Sequence, residues 1–308
     1  MSDIVISEFM DQSAIDAIFA GRDVLYDPKL ADQTARLHAA LANCRAILVR
    51  NRTQVRGALL DAAPRLKVVG RLGVGLDNID VEACNARNIA VRPASGANDL
   101  SVAEYVITAA LMLRRRAWLA TERVVAGEWP RMDLIGKELA GAQLGLIGFG
   151  AIARLTARKA AALGMRVAAF DPLLAEGDAA FLNVSRLSFD KILSSSQVVS
   201  LHTPLTPQTR RMIDEEALNR MQSGTILINA ARGGIVDEAA LAAALSSGHL
   251  GGAALDVFEA EPLTRAAATL FRGAPNLILT PHIAGVTEES NVRVSAVTAR
   301  AVMEVLGA

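Results

Sequence analysis

The chain has 308 residues, long enough for two domains of about 150 residues each. It is 52% hydrophobic and 21% charged, a balance that suits a folded globular protein and argues against disorder. Thirty-two basic residues offset 32 acidic ones, so nothing here forms the concentrated basic face that nucleic acid requires. The one local cluster, Arg114-Arg115-Arg116, reads as a solvated helix face. No stretch approaches the ~18 apolar residues of a membrane span, and the N-terminus, MSDIVISEFMD, carries acids where a secretion signal needs bases. Cys44 and Cys84 supply neither a disulfide framework nor a zinc site. The expectation is a cytoplasmic protein with no metal, nucleic-acid or membrane partner.

In chain order, short apolar runs alternate with alanine- and leucine-rich stretches at helical spacing. DIVIS (3–7), AILVR (46–50), LKVVG (66–70) and IAVR (89–92) come first. Pro93, Gly96, Asn98 and Asp99 then read as loop. After them SVAEYVITAALMLRRRAWLATERVV begins at Ser101, where Ser101 and Glu104 fit a capping box. It predicts a helix of about 20 residues or more, the link into a second domain, with a face suited to a partner subunit. The apolar runs resume as LGLIG (144–148), RVAAF (166–170), VVSL (198–201), TILIN (225–229), AALDV (253–257) and NLILT (276–280). Runs without polar alternation read as strands buried on both faces, hence parallel, and the helical patterns between them make βαβ units. The predicted class is α/β and doubly wound.

GLIGFGAIAR (145–154) follows such a strand and opens a helix. Gly148-x-Gly150-x-x-Ala153 matches the dinucleotide fingerprint: one glycine for the tight turn, one for close approach of a pyrophosphate, and a small residue for helix–strand packing. The pyrophosphate would sit at the helix N-terminus, where free N–H groups favour an anion. RVAAFDP ends the next strand at Asp171, 21 residues beyond Gly150, and no arginine follows within Pro172–Glu176. An acid there accepts from ribose hydroxyls and repels a 2′-phosphate, which predicts NAD rather than NADP.

Ligands of open α/β sheets bind beyond the carboxyl ends of strands, where His202, Arg232, Asp256 and His282 are expected. Reducing a keto acid needs a cation for its carboxylate and carbonyl, a proton donor for the developing alkoxide, and a group that tunes the donor. Arginine, histidine and a carboxylate have those properties, although spacing alone does not bring Arg232, Glu261 and His282 together. His38 reads as a helix-surface residue and His249 as one near a helix C-terminus, while His202 is the rival proton carrier.

The chain resembles the D-2-hydroxyacid dehydrogenases, the group that includes phosphoglycerate dehydrogenase, glyoxylate/hydroxypyruvate reductase and formate dehydrogenase. The resemblance is carried by VGRLGVGLDNID (69–80), SVAEYVI (101–107), GLIGFGAIA (145–153), HTPLT (202–206), NAARGGIVDEAAL (229–241), GAALDVFEAEPL (252–263) and TPHIAG (280–285). It implies two Rossmann-like domains, an NAD-binding domain (100–285) inserted in a flavodoxin-like substrate domain (1–99 with 286–308). It further implies Arg232 as the catalytic arginine, His282 as general acid/base, and Glu261 rather than Glu259 as the partner of the histidine. Gly148, Gly150, Ala151, Ile152, Asp171, Thr203, Ala230, Asp256 and Gly285 would contact NAD. Arg50, Asn51, Val74 and Gly75, with Arg232, would contact substrate, and the Gly73-Val74-Gly75 loop could cradle a carboxylate with its N–H groups. Arg50, Asn51 and Arg52 suit a distal phosphate, sulfonate or carboxylate. A homodimer is expected, acting on a 2-hydroxy or 2-keto acid such as phosphoglycerate, sulfolactate or glycerate. Formate or phosphite oxidation, and an NAD-sensing corepressor, are the alternatives. Phosphoglycerate dehydrogenases often add a regulatory domain after their catalytic portion, and the end of this sequence at Ala308 points away from serine feedback.

Overall fold

Ten of the apolar runs form strands in the computed structural model, which describes residues 2–307. The first five strands are β1 (Ile4–Ile6), β2 (Val24–Tyr26), β3 (Ala46–Val49), β4 (Val68–Arg71) and β5 (Ala90–Pro93). They make an all-parallel sheet in the order β2-β1-β3-β4-β5. The other seven are β6 (Gln143–Ile147), β7 (Arg166–Phe170), β8 (Ser185–Arg186), β9 (Val198–Leu201), β10 (Ile226–Asn229), β11 (Gly252–Leu255) and β12 (Leu277–Leu279). Their sheet, also parallel, runs β12-β11-β10-β9-β6-β7-β8. The chain divides into two units: residues up to Asn98 with those from Val286 onward, and Asp99–Gly285.

The central strands are buried on both faces. In β3, Ala46 and Leu48 enter one core cluster while Ile47 and Val49 enter another. In β10, Ile226 and Ile228 face one core and Leu227 the opposite one. Helices on either face supply the remaining apolar surface. The C-terminal helix Glu288–Leu306 returns to the first unit and buries Val294, Ala299, Val302 and Leu306 against its sheet.

Three expectations are corrected. Ser101 does not cap a helix: the helix begins two residues earlier, as Asp99–Arg115, and Ser101 is buried within it. The capping box lies instead at Thr287 and Ser290, opening the C-terminal helix. The long helix also ends sooner than predicted, at Arg115, because Arg116 takes a left-handed φ of 55°. Short turns follow, 3-10 at Ala117–Leu119 and α at Thr121–Val125. The arginine cluster is therefore only partly a solvated face. Arg115 is exposed, but Arg114 is half-buried and donates to the Glu138 carbonyl at 2.6 Å. Strands β2 and β8 are not announced by the sequence pattern. Among the described residues, no helix is long and apolar enough to cross a membrane.

Candidate active site

In each sheet the strand order reverses at one point, and the loops leaving the two strands there diverge to open a crevice. In the second sheet that point lies between β6 and β9. Gly148 leaves β6 with φ 87°, and a Cβ on it would come within 2.6 Å of the His202 carbonyl oxygen just past β9. Only glycine fits this contact. Gly150 is the N-cap of the helix Ala151–Ala162, which no side chain caps. No protein atom lies within 4 Å of where a Gly150 side chain would begin. The exposed Ala151 and half-buried Ile152 form the first turn, so backbone donors face open space, as a pyrophosphate requires.

Asp171 follows β7, with one carboxylate oxygen 2.8 Å from the Phe149 N–H and the other 2.9 Å from the Leu173 N–H. Each oxygen retains acceptor capacity for a ribose hydroxyl. The Thr203 hydroxyl is buried without a hydrogen-bond partner among the described residues, so a polar group of a dinucleotide could satisfy it. Ala230, past β10, and Gly285 are half-buried. These residues fit a dinucleotide.

His202 is set apart from proton chemistry by its surroundings. Its Nε2 meets the Ser200 hydroxyl at 3.0 Å, and burial pushes its pKa down to about 4. The ring is therefore neutral near pH 7. His38 lies half-buried in the helix Thr34–Leu41, and His249, after the helix Glu238–Ser246, contacts the Leu218 carbonyl at 3.0 Å.

Arg232, Glu261 and His282 come from three loops of the second unit. The loop after β10 is braced by the buried Asn229, which donates to the Arg232 carbonyl at 2.9 Å and accepts from the Ala231 N–H at 3.1 Å. The next residue must be glycine, because a Cβ on Gly233 would lie 1.8 Å from the Phe258 carbonyl oxygen. That approach sets the arginine loop against the segment carrying Glu261, whose peptide bond to Pro262 is cis. Glu261 accepts from the Phe258 N–H at 3.0 Å and meets His282 Nδ1 at 2.7 Å. Burial pushes the Glu261 carboxyl up. The hydrogen bonds from His282 and Phe258, with the charges of His282 and Arg232, outweigh it and hold the group below the usual carboxylate range. An ionised Glu261 can only accept, so Nδ1 carries a hydrogen and Nε2 is left for proton exchange. Glu259 instead faces Arg210 and Arg211.

His282 has φ 57°, a left-handed conformation costing a non-glycine residue roughly 1–2 kcal/mol. Asp256 holds it there. The Asp256 carbonyl accepts from the His282 N–H at 2.8 Å, and its carboxylate accepts from the next two amides, Ile283 at 2.8 Å and Ala284 at 2.7 Å. Asp256 is 1% exposed and has internal donors on both carboxylate oxygens. Its positioning of the histidine loop has no signal in the sequence pattern.

In the first sheet the reversal falls between β1 and β3, and the residues just past them are Glu8 and Arg50. Glu8, 3% exposed, accepts from the amides of Arg50 at 2.9 Å, Arg52 at 3.1 Å and Thr53 at 3.0 Å. Asn78 secures the same loop from its carbonyl side, donating to Arg50 and Thr53. The Arg50 guanidinium lies over the Phe9 ring at 5.2 Å and donates to Asn291 at 2.6 Å. Its Nε is buried without a partner, it forms no salt bridge among the described residues, and burial, opposed by the charge of Glu8, pulls its pKa below the ordinary value. Asn51 is exposed, and Arg52 pairs with Asp32. Val74 is 38% exposed, while Arg71 Nε ties down the Gly75 carbonyl at 2.8 Å. Sequence reasoning misses both Glu8 and Asn78; one acid after a buried strand is the only signal.

Comparison with known proteins agrees with the resemblance that the motifs carry. Residues 107–284 match the model of the D-isomer specific 2-hydroxyacid dehydrogenase NAD binding domain. The chain is 55% identical over 308 residues to the (S)-sulfolactate dehydrogenase of Chromohalobacter salexigens, covering 100% of this chain and 99% of that protein. It is 42% identical over 258 residues to the D-3-phosphoglycerate dehydrogenase of Mycobacterium leprae, covering 84% of this chain and 48% of that longer protein. Among solved structures it resembles D-lactate dehydrogenase of Aquifex aeolicus in complex with NAD and lactic acid. That match has 28% identity and a TM-score of 0.86, covering 99% of this chain and 96% of that one. The chain belongs to the D-isomer specific 2-hydroxyacid dehydrogenase family, and it is an NAD-dependent enzyme that interconverts a 2-hydroxy acid and its 2-keto acid.

Proposed function

We propose that the substrate carries a distal anion and that the enzyme interconverts sulfolactate and sulfopyruvate. The observation that carries this reading is Arg50, a half-buried guanidinium that forms no salt bridge among the described residues and has an unpaired Nε. A cation in that state gains from an anionic ligand, since attraction then offsets its lost hydration. The 55% identity to a sulfolactate dehydrogenase supports the choice of sulfonate. The (S) label of that relative's substrate fits a D-isomer family. In sulfolactate the sulfur-bearing carbon outranks the carboxylate, so S denotes the arrangement called R in D-lactate.

The unit of residues up to Asn98 and from Val286 onward is read as the substrate domain, with Arg50, Asn51, Val74 and Gly75 as contacts. Asp99–Gly285 is read as the cofactor domain. Gly148, Gly150, Ala151, Ile152, Asp171, Thr203, Ala230, Asp256 and Gly285 would hold NAD, which supplies the nicotinamide that exchanges a hydride with C2 of the substrate. Arg232 holds the substrate carboxylate in a planar two-pronged contact that lysine cannot reproduce. His282 gives its Nε2 proton to the carbonyl oxygen in reduction and takes the hydroxyl proton in oxidation. Glu261 fixes the tautomer and stabilises the imidazolium.

The cytoplasm is the proposed location and a homodimer the proposed assembly. Val125, Trp129, Met132 and Ile135 are 84, 77, 78 and 62% exposed, beside a groove of about 560 Å³. A second copy of the chain would cover this apolar segment.

The test is NADH oxidation with sulfopyruvate, phosphohydroxypyruvate, hydroxypyruvate and pyruvate, repeated with Arg50→Met. Sulfopyruvate should give the highest kcat/KM, and Arg50→Met should erase its advantage over pyruvate. Equal efficiency with pyruvate in the parent enzyme would refute the distal-anion reading.

A further inference from the structure

We infer that Tyr105 and Thr280 are positioning residues that act through Asp256 to aim His282, a conclusion that rests on His282 being the general acid/base. The Tyr105 hydroxyl lies 2.6 Å from Thr280 Oγ1, and Thr280 Oγ1 lies 2.6 Å from Asp256 Oδ1. The carboxylate at the end of the chain fixes its direction. An ionised Asp256 can only accept, so Thr280 gives it its single hydroxyl hydrogen, and Tyr105 must donate to Thr280. Burial pushes the Tyr105 phenol further up and keeps that hydrogen in place.

Asp256 Oδ1 thus receives both the Thr280 hydroxyl and the Ile283 amide, while Oδ2 receives the Ala284 amide. The Asp256 carbonyl receives the amide of His282 itself. The left-handed turn at His282 is consequently held at its own N–H and at the two that follow. The rotation of the Asp256 carboxylate that permits this is set by Thr280. A change at Thr280 or Tyr105 reaches the imidazole through Asp256 and leaves the Glu261 contact in place.

Tyr105 lies in the helix Asp99–Arg115, where its ring packs against the core cluster of Val106, Ala109 and Ala110. That helix opens the second unit of the chain. The hydroxyl is therefore a polar connection from an otherwise apolar helix face to the histidine loop. Packing alone would be served as well by phenylalanine.

The test uses the full-length enzyme with NADH and its best keto acid. Thr280→Val should lower kcat about tenfold to a hundredfold, the cost of a misaimed acid. Its NADH Kd, read by fluorescence, should stay within about twofold, and Thr280→Ser should recover most of kcat. Tyr105→Phe should lower kcat about threefold to tenfold, the scale of one neutral hydrogen bond. The double variant Tyr105→Phe/Thr280→Val should be no slower than Thr280→Val, because the chain is serial. An unchanged kcat in Thr280→Val, or additive losses in the double variant, overturns the inference. If Thr280→Val does not fold, Tyr105→Phe and Thr280→Ser decide it by the same split between kcat and NADH affinity. Full activity in His282→Asn would instead overturn the underlying assignment of the acid.

Discussion

Replacing Glu261 by glutamine keeps the shape of the side chain and an acceptor for the Phe258 N–H but removes the charge facing His282. The substitution takes the charge out of a 2.7 Å hydrogen bond. Charge-assisted bonds of this kind are worth about 1.5–3 kcal/mol when sheltered from water. The side chains here are 30% exposed for Glu261 and 41% for His282, so solvent screening reduces that figure. About 1–2 kcal/mol of that hydrogen bond remains, corresponding to a roughly fivefold to thirtyfold fall in kcat for keto-acid reduction. The assay follows NADH absorbance at saturating sulfopyruvate from mildly acidic to alkaline buffer, for the parent and for Glu261→Gln. The affinity for NADH should not move. A kcat within about twofold of the parent at every pH would refute the pairing as a source of catalysis, since screening would then have cancelled the whole bond.

Asp171→Ala should weaken NAD binding by about 1.5–3 kcal/mol and relax discrimination against NADP; competitive titration of the two cofactors reads both, and an unchanged ratio sinks the assignment. His202 gives stability a pH dependence of definite sign. Its folded pKa of about 4 lies below the ordinary 6.5, so the unfolded chain takes up the proton first. Its contribution is complete above pH 6.5 and is lost as pH falls through 4, a total of roughly 3 kcal/mol that urea unfolding across that window would detect. His202→Gln should flatten that slope. Burial pushes the Cys44 thiol up to about 12 and raises Cys84 as well, so neither should react with Ellman's reagent until the protein is unfolded.

What is legible in the sequence follows from what periodicity records. Strands such as AILV and ILIN are buried on both faces and announce themselves as uninterrupted apolar runs. Strand β2 lies at a sheet edge with only half-buried residues, and β8 is two exposed residues, so neither leaves such a run. The break after Arg115 is hidden because an arginine, not a glycine or proline, takes the left-handed turn. At the candidate site, the family resemblance points to Arg232, Glu261 and His282, and the structure places a carboxylate oxygen of Glu261 on the imidazole. The supports behind them, Asp256, Thr280 and Tyr105, span 175 residues of sequence between Tyr105 and Thr280 and join only through folding. No local pattern encodes a contact of that length.

Glu8 spends its acceptor capacity on three main-chain amides of the loop 50–53, and Asn78 takes two of that loop's carbonyls. The path of that loop is thus anchored without help from the side chains of Asn51 and Arg52. Those two side chains can be exchanged while the loop stays in place. Inserting or deleting a residue there would strand a buried carboxylate, at a cost of several kcal/mol. The loop is thus open to substitution and closed to changes of length.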